Sequence, residues 1–261
     1  MTAPLKPAAA MAPPRPAGQV AVGTIYGLGL GPGEADLMTV RADRLLRGAR
    51  HVAYFRKAGR TGRARRIVEG LLPEGVTEYP MEYPVTTEIP FSDPRYNALL
   101  SAFYADWTAR LGAIARAGED VVVLCEGDPF FYGSFMHLHI RLSGQLPVEV
   151  VPAITGMSAA WTATGTPITW GDDILTVLMA TLPEEELAAR MAASDALVVM
   201  KIGRNLDKLR RALRRAGRFD EAWLVQYAAM PGQSVMRLAE AEGQATPYFS
   251  IVLVHGQGRR P

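Results

Sequence analysis

The sequence predicts an α/β protein made of two α/β domains, with a ligand site in the cleft between them. Short apolar runs alternate with amphipathic stretches along most of the 261 residues, as parallel sheets with helical crossovers require. The run Val121–Cys125 is apolar without a break, which is typical of a strand buried on both faces. After residue 168 the alternation restarts less regularly, so the predicted seam between the domains lies there.

The first predicted domain covers residues 20–168. Its longest helix has Pro94 in the first turn and Gly118 just after its end, the preferred positions of these two residues. Apolar runs predict the strands at 20–30, 51–55, 121–125 and 148–153. Helical periodicity predicts helices at 37–49, 64–72, 94–117, 134–143 and 158–165.

The second predicted domain covers residues 169–258, and a tail precedes the first domain. Strands are predicted at 174–181, 196–202, 221–228 and 248–255, and helices at 184–193 and 205–216. Residues 1–19 hold five of the 19 prolines and no apolar period. That composition predicts a disordered tail.

Composition excludes several classes of protein. Hydrophobic residues make up 49% and charged residues 21% of the chain, which are globular values, and the formal charge of +2 is too small to indicate nucleic-acid binding by itself. The single Cys125 excludes an intramolecular disulfide framework and a Cys/His zinc site, so we predict no metal. No apolar run approaches the roughly 20 residues of a membrane span. We therefore expect a soluble, cytoplasmic protein without a membrane partner.

The first motif is a glycine loop in the stretch GTIYGLGLGPGEADLMTVRADRLL, where a strand runs into a helix. The loop holds Gly27, Gly29, Gly31, Pro32 and Gly33. Such loops let a backbone approach a nucleotide closely. A nicotinamide dinucleotide would want an acidic residue at the end of the next strand, but Arg56 and Lys57 stand there. Binding of a 2′-phosphorylated dinucleotide and a purely structural turn both stay open at this point.

Two more small-residue turns follow predicted strands. CEGDPFFYGSF places Glu126, Gly127 and Asp128 directly after the buried strand, and VPAITGMSAAWTA places Thr155 and Gly156 after the next. Asp128 could accept hydrogen bonds from a ligand or cap the following helix. Because parallel strands share one carboxyl edge, all three turns are predicted to meet there.

In this order and spacing, GLGPGEADLMTVRA, EGDPFFYG and VPAITGMSAA resemble the tetrapyrrole methylases. That family transfers methyl groups from S-adenosylmethionine to precursors of corrinoids and sirohaem. The resemblance runs from about residue 20 to 255 and implies two α/β domains with the cofactor in the cleft, usually as a homodimer. The stretches AYFRKAGRTGRARRIVEG and MEYPVTTEIPFSDPRY resemble the branch that methylates carbon 20 of precorrin-2, and favour the cobalt-free over the cobalt-loaded ring.

Matched residue by residue, the resemblance implies a cofactor site. Its members are Pro32, Glu126, Gly127, Asp128, Phe131, Thr155, Gly156 and Met200. Glu126 and Ala153 each stand where the family more commonly has glycine. In the second domain Met200 is preferred over Lys201. The sequence nominates no catalytic residue, since methyl transfer mainly needs alignment and exclusion of water.

The substrate that the resemblance implies carries eight carboxylates, and residues 41–66 hold ten Lys or Arg with Asp43 as the only acid. Arginine pairs well with carboxylates. The arginines of the first helix are interpreted as a solvated face. Arg56, Lys57 and Arg60 follow a strand end, and we predict that they contact the tetrapyrrole.

Three alternatives remain at this stage. One is methylation of the cobalt-loaded ring. Another is a module that senses S-adenosylmethionine or NADP without turnover. The third is RNA binding by the basic cluster, although the cluster lacks interleaved aromatic residues.

Overall fold

A computed structural model shows two five-stranded sheets flanked by helices. It describes residues 21–86, 89, 93–241, 243 and 246–260. The disordered tail predicted at 1–19 lies outside these residues. A helix with the length and apolar character of a bilayer span is not found among the described residues.

The first sheet is entirely parallel. Its strands are β1 Ile25–Gly29, β2 His51–Lys57, β3 Thr77–Tyr83, β4 Val121–Cys125 and β5 Val148–Val151. The helices among and after them are α1 Val40–Arg47, α2 Arg63–Ile67, α3 Pro94–Arg116, α4 Phe135–Leu142 and α5 Gly156–Ala163. The strand order is β3-β2-β4-β1-β5, so all five carboxyl ends lie at one edge.

The second sheet is mixed. Its strands are β6 Leu175–Met179, β7 Ala196–Met200, β8 Trp223–Gln226, β9 Ser234–Arg237 and β10 Ser250–Val254. Its helices are α6 Glu184–Ala192 and α7 Leu206–Arg215. The order is β6-β7-β10-β8-β9, with β6 and β7 parallel and the other pairs antiparallel. The ends of β6, β7 and β8 therefore lie beside the start of β10.

Both faces of the first sheet are buried. Phe135 and Leu111, from α4 and α3, lie in the cluster on one face, and Leu46 of α1 lies in the cluster on the other. Each buried aliphatic side chain of this kind contributes about 1.5–3 kcal/mol. Helix α5 packs on the second sheet, where Ala160 lies among side chains of β7, β8 and β10. The domain boundary near residue 168 stays a prediction, since α5 precedes it in the chain.

Every predicted strand and helix occurs, with shifted ends. The helix predicted at 64–72 is too long, because α2 ends at Ile67 and Gly70 then adopts a positive φ of 76°. The parallel character of the first sheet is confirmed. Two strands were missed, β3 and β9, and both are edge strands. β3 contains Pro80 and two glutamates, and edge strands tolerate such residues, so the apolar signal is weak there.

Candidate active site between the two sheets

The first two sequence motifs lie side by side at the carboxyl edge of the first sheet. The amide of Leu30 donates to the carbonyl of Cys125 at 2.9 Å, and the amide of Gly127 donates to the carbonyl of Gly31 at 2.7 Å. Gly31 and Gly127 have φ of 80° and 61°, where a side chain is strained. Pro32 is buried directly beside this bridge. The predicted meeting of these loops is therefore seen in the structure.

Asp128 connects the second motif to the third. One carboxylate oxygen accepts from the amide of Phe130 at 2.8 Å, and the other accepts from the amide of Ala153 at 2.9 Å. The alternative that Asp128 caps the following helix is wrong, because α4 begins only at Phe135. Each carboxylate oxygen keeps a second lone pair, so Asp128 can still accept from a ligand.

The third motif opens α5. Thr155 is its N-cap, with Oγ1 accepting from the Ser158 amide at 3.3 Å. A Cβ placed on Gly127 would have the amide nitrogen of Gly156 as its nearest neighbour, at 3.9 Å. A Cβ placed on Gly156 would instead have the side chain of Ile251 as its nearest neighbour, also at 3.9 Å, so neither glycine is closely covered by its surroundings. The first amides of a helix lack intrahelical partners, so the start of α5 offers hydrogen-bond donors to a ligand.

Glu126 carries the unusual carboxyl group of the site. It is half-buried, and burial raises the pKa of its side chain from 4.5 to about 7, against the opposing effect of Arg63 and Arg66. A buried carboxylate with a raised pKa in a cleft is a mark of functional sites.

Loops of the second sheet face these motifs at three points. Gly33 packs closely against the loop after β8, since a Cβ atom added to this glycine would lie 2.5 Å from the carbonyl oxygen of Ala229. The ammonium of Lys201 lies 5.3 Å from the ring centre of Tyr132. The third contact joins the Arg63 guanidinium to the rings of Phe249, at 4.0 Å, and Tyr248, at 5.0 Å. The carboxyl edge of the first sheet therefore forms one wall of a cleft whose other wall is the second sheet.

Backbone strain is concentrated in the same cleft. In the described ranges, four non-glycine residues have positive φ, and they are Tyr132, Lys201, Tyr227 and Ala229. All four follow strands or motifs at this end of the two sheets. Left-handed backbone at bulky residues costs on the order of 1–3 kcal/mol each and clusters at ligand sites. No sequence signal marks these positions.

Phe131 and Met200 lie on opposite walls. Phe131 is half-buried, with its ring centre 4.9 Å from that of Tyr132. Met200 ends β7 and packs in the cluster under α5. Their chain neighbours Tyr132 and Lys201 form the contact described above, so the structure brings the two predicted residues to one cleft.

The predicted substrate residues lie at the end of β2, beside β4. Arg56 has a partner already, since its Nη2 is 2.6 Å from Oε1 of Glu82 on β3. Lys57 ends the strand, and the exposed Arg60 donates its amide to the Lys57 carbonyl at 3.1 Å. Arg60 is therefore better placed than Arg56 to meet an incoming anion.

Sequence reasoning missed Arg63, Tyr248 and Phe249. Arg63 lies in the basic stretch that suggested the cleft mouth, but nothing in its spacing separated it from its neighbours. The two aromatic residues were assigned to the final strand, which in fact begins at Ser250. Their position directly after Pro247 was the available signal of a loop.

Comparison with known proteins agrees with this geometry. The family described as Tetrapyrrole (Corrin/Porphyrin) Methylases matches residues 24–242. A protein of Sinorhizobium sp. named precorrin-2 C(20)-methyltransferase is 48% identical over 242 residues, 93% of this chain and 99% of that protein. The cobalt-precorrin-2 C(20)-methyltransferase of Salmonella typhimurium is 30% identical over 240 residues, 90% and 97% of the two chains.

A solved structure shows the same fold. It is uroporphyrin-III C-methyl transferase from Thermus thermophilus complexed with S-adenyl homocysteine, with a TM-score of 0.60 and 24% identity. The alignment covers 89% of this chain and 92% of that chain. The resemblance inferred from the three motifs is confirmed.

Proposed function

Because the chain belongs to the tetrapyrrole methylase family, we propose that it transfers a methyl group from S-adenosylmethionine to carbon 20 of precorrin-2, giving precorrin-3A. The observation that carries the proposal is the meeting of three glycine-containing motifs at one sheet edge, opposite the second sheet. The similarity to the Sinorhizobium protein supports the choice of ring and carbon.

The residues at this edge fit the cofactor. S-adenosylmethionine supplies an electrophilic methyl group on a sulfonium. Gly127 and Gly156 leave open the space that their side chains would fill, and Asp128 keeps acceptor capacity near them. The residues we propose to hold the cofactor are Pro32, Glu126 through its backbone, Gly127, Asp128, Phe131, Thr155, Gly156 and Met200.

We propose that Arg56, Lys57 and Arg60 bind the carboxylates of the tetrapyrrole at the adjoining end of β2. The exposed Arg60 supplies a cation that has no ion pair with a described residue. Arg56 already forms an ion pair with Glu82, so it can offer a substrate only its remaining N–H groups. The main work of the chain is then to align carbon 20 with the methyl group and to keep water out of the cleft.

Three further parts of the proposal rest on the resemblance or on composition. They are assembly as a homodimer, a cytoplasmic location and use of the cobalt-free ring of the aerobic route. The similarity to the Salmonella protein keeps the cobalt-loaded ring as a second candidate substrate.

The test is anaerobic incubation of the purified protein with methyl-labelled S-adenosylmethionine and metal-free precorrin-2, with NMR assignment of the product. We expect one label at carbon 20. The Gly156→Val variant, which adds a side chain at the start of α5 where the backbone has no positive φ, should lose transfer, and Glu74→Gln, at an exposed turn before β3, should keep it. Label on another carbon, or none with either ring, would contradict the proposal. Label only with the cobalt-loaded ring would replace the substrate.

A further inference from the structure

Glu126 lies where two walls of the cleft meet. It directly follows β4, and the groups that act on it come from two other elements. Burial raises the pKa of Glu126 against the opposing effect of Arg63 and Arg66 of α2, and the pKa of Tyr248, in the loop before β10, is raised chiefly by burial and further by Glu126. On its own strand, the buried thiol of Cys125 has its pKa raised chiefly by burial and further by Asp128 and Glu126. Glu126 thus lies at the carboxyl edge of the first sheet, next to the glycine whose amide donates to the Gly31 carbonyl.

The Glu126 carboxylate has no hydrogen-bond donor or close ion pair among the described residues, unlike nearby glutamates. Glu78 receives two hydrogen bonds from Arg65, at 2.6 and 3.0 Å, and Glu82 receives one from Arg56. The guanidinium of Arg63 instead stacks on the ring of Phe249, 4.0 Å from its centre. No described protein group therefore occupies the lone pairs of Glu126, and a substrate in the cleft can hydrogen-bond to them.

We propose that the Glu126 carboxylate accepts the proton that leaves carbon 20 during methyl transfer. This inference rests on the proposed function. Carbon 20 bonds to the methyl carbon while the carbon–sulfur bond breaks with its electron pair on sulfur, which leaves the ring positively charged. The carbon–hydrogen bond at carbon 20 then breaks, its electron pair neutralises the ring, and the proton goes to a carboxylate oxygen of Glu126. Solvent afterwards removes that proton.

The surroundings suit a base that works near neutral pH. Burial makes the carboxylate more basic than an exposed glutamate, and the two arginines of α2 keep part of it ionised at pH 7. A general base is most effective when its pKa lies near the working pH.

The experiment compares wild type with Glu126→Gln, which keeps the shape of the side chain, and with Glu74→Gln as the matched control. We expect Glu126→Gln to lower the single-turnover rate about 100-fold or more, while its affinity for S-adenosylhomocysteine stays within about threefold. Precorrin-2 deuterated at carbon 20 should react more slowly than the protonated form in Glu126→Gln. Glu126→Asp, which keeps a carboxylate, should recover part of the rate.

A spectroscopic readout adds a test without turnover. Infrared difference spectra between pH 5 and 9 should show a protonated carboxyl band that titrates near pH 7 in wild type and is missing in Glu126→Gln. If wild type is active and Glu126→Gln keeps the wild-type rate, this inference is wrong and the proposed function stands. A parallel loss of rate and S-adenosylhomocysteine affinity would also overturn the inference. Inactive wild type with both rings would instead remove the proposed function, and this inference with it.

Discussion

Two polar regions lie at opposite ends of the second sheet, and they differ in backbone strain and in the partners of their carboxylates. At one end is the cleft. At the other, which we call the distal end, a cavity of about 300 Å³ is lined by residues including Trp223, Arg237 and His255. Nδ1 of His255 donates to the Pro167 carbonyl at 3.1 Å, and its Nε2 lies 3.1 Å from the Thr164 hydroxyl. Both ring nitrogens are thus already in use.

Asp173 near the distal end is likewise engaged by its own chain. Its Oδ2 accepts from the amides of Trp170, at 2.8 Å, and Gly258, at 3.3 Å. A Cβ on Gly256 or Gly258 would come within 2.2 Å of this carboxylate, so glycine is required at both positions. The carboxylate holds the C-terminal segment against the loop after α5.

The cleft differs in two respects. Glu126 has no hydrogen-bond partner among the described residues, and strained non-glycine backbone occurs there at Tyr132, Lys201, Tyr227 and Ala229. Stored backbone strain distinguishes the cleft as the ligand site, since the distal end also contains a buried polar atom without a partner, Nε1 of Trp170. Cavity volume does not separate the two ends, since a pocket of about 290 Å³ that includes Tyr132 and Met179 matches the distal one.

The largest effect on ligand binding should come from removing the carboxylate that connects two of the cleft's loops. Asp128→Ala removes the acceptor shared by the amides of Phe130 and Ala153, so the second and third motifs lose their connection. Lost hydrogen bonds to a charged group cost about 1.5–3 kcal/mol. We expect affinity for S-adenosylhomocysteine, measured by calorimetry, to fall at least about tenfold while the fold persists in circular dichroism. Unchanged affinity would show that the connection is irrelevant to the cofactor.

The matching change at the distal end should affect stability alone. Asp173→Ala leaves the amides of Trp170 and Gly258 without their acceptor, and we expect the free energy of unfolding to fall by about 2 kcal/mol. Urea denaturation measures this loss. Affinity for S-adenosylhomocysteine should stay within about twofold of wild type, and a larger drop would mean that the two regions are coupled.

The two regions should also respond to pH with opposite signs. Burial raises the folded pKa of Glu126 from 4.5 to about 7, so its contribution to stability is lost as pH rises from about 4.5 through 7. Burial lowers the pKa of His255, although its hydrogen bond to Pro167 has the opposite effect. The unfolded state therefore binds a proton more readily than the folded state, and the free energy of unfolding decreases as pH falls below about 6.5. The free energy of unfolding is measured across pH 4–8. Glu126→Gln should lose the decrease in stability that accompanies rising pH, and His255→Gln should lose the decrease that accompanies falling pH. A variant with the wild-type slope would contradict the assignment.

The smallest effect is expected at the rim of the cleft. Arg60 is exposed, and single exposed charges contribute about 0.2–1 kcal/mol. Arg60→Glu should therefore raise KM for the tetrapyrrole roughly two- to fivefold, less at high salt, without changing KM for the cofactor. The control is Arg47→Glu on α1, where Arg47 pairs with Asp43 at 2.8 Å. Equal changes in both KM values would count against a substrate rim.

Much of the fold was predictable because its buried strands have a strong apolar signal. β4 is apolar throughout and central in its sheet, whereas β3 and β9 are edge strands whose mixed residues give no clear period. The three motifs of the site were found because glycine and proline mark turns locally. Tyr248 and Phe249, on the opposite wall of the cleft, were not found from the sequence. Their contact with Arg63 depends on how the second sheet packs against the first. The partner of Arg56 was missed for the same reason, because Glu82 lies on one of the unpredicted strands.

The most direct test of the central claim is a crystal structure of the protein grown with S-adenosylhomocysteine. We predict the ligand between Gly127 and Gly156, within hydrogen-bonding reach of the turn that Asp128 connects. Density for the ligand in the distal cavity beside Trp223 and His255, with the cleft empty, would contradict the account.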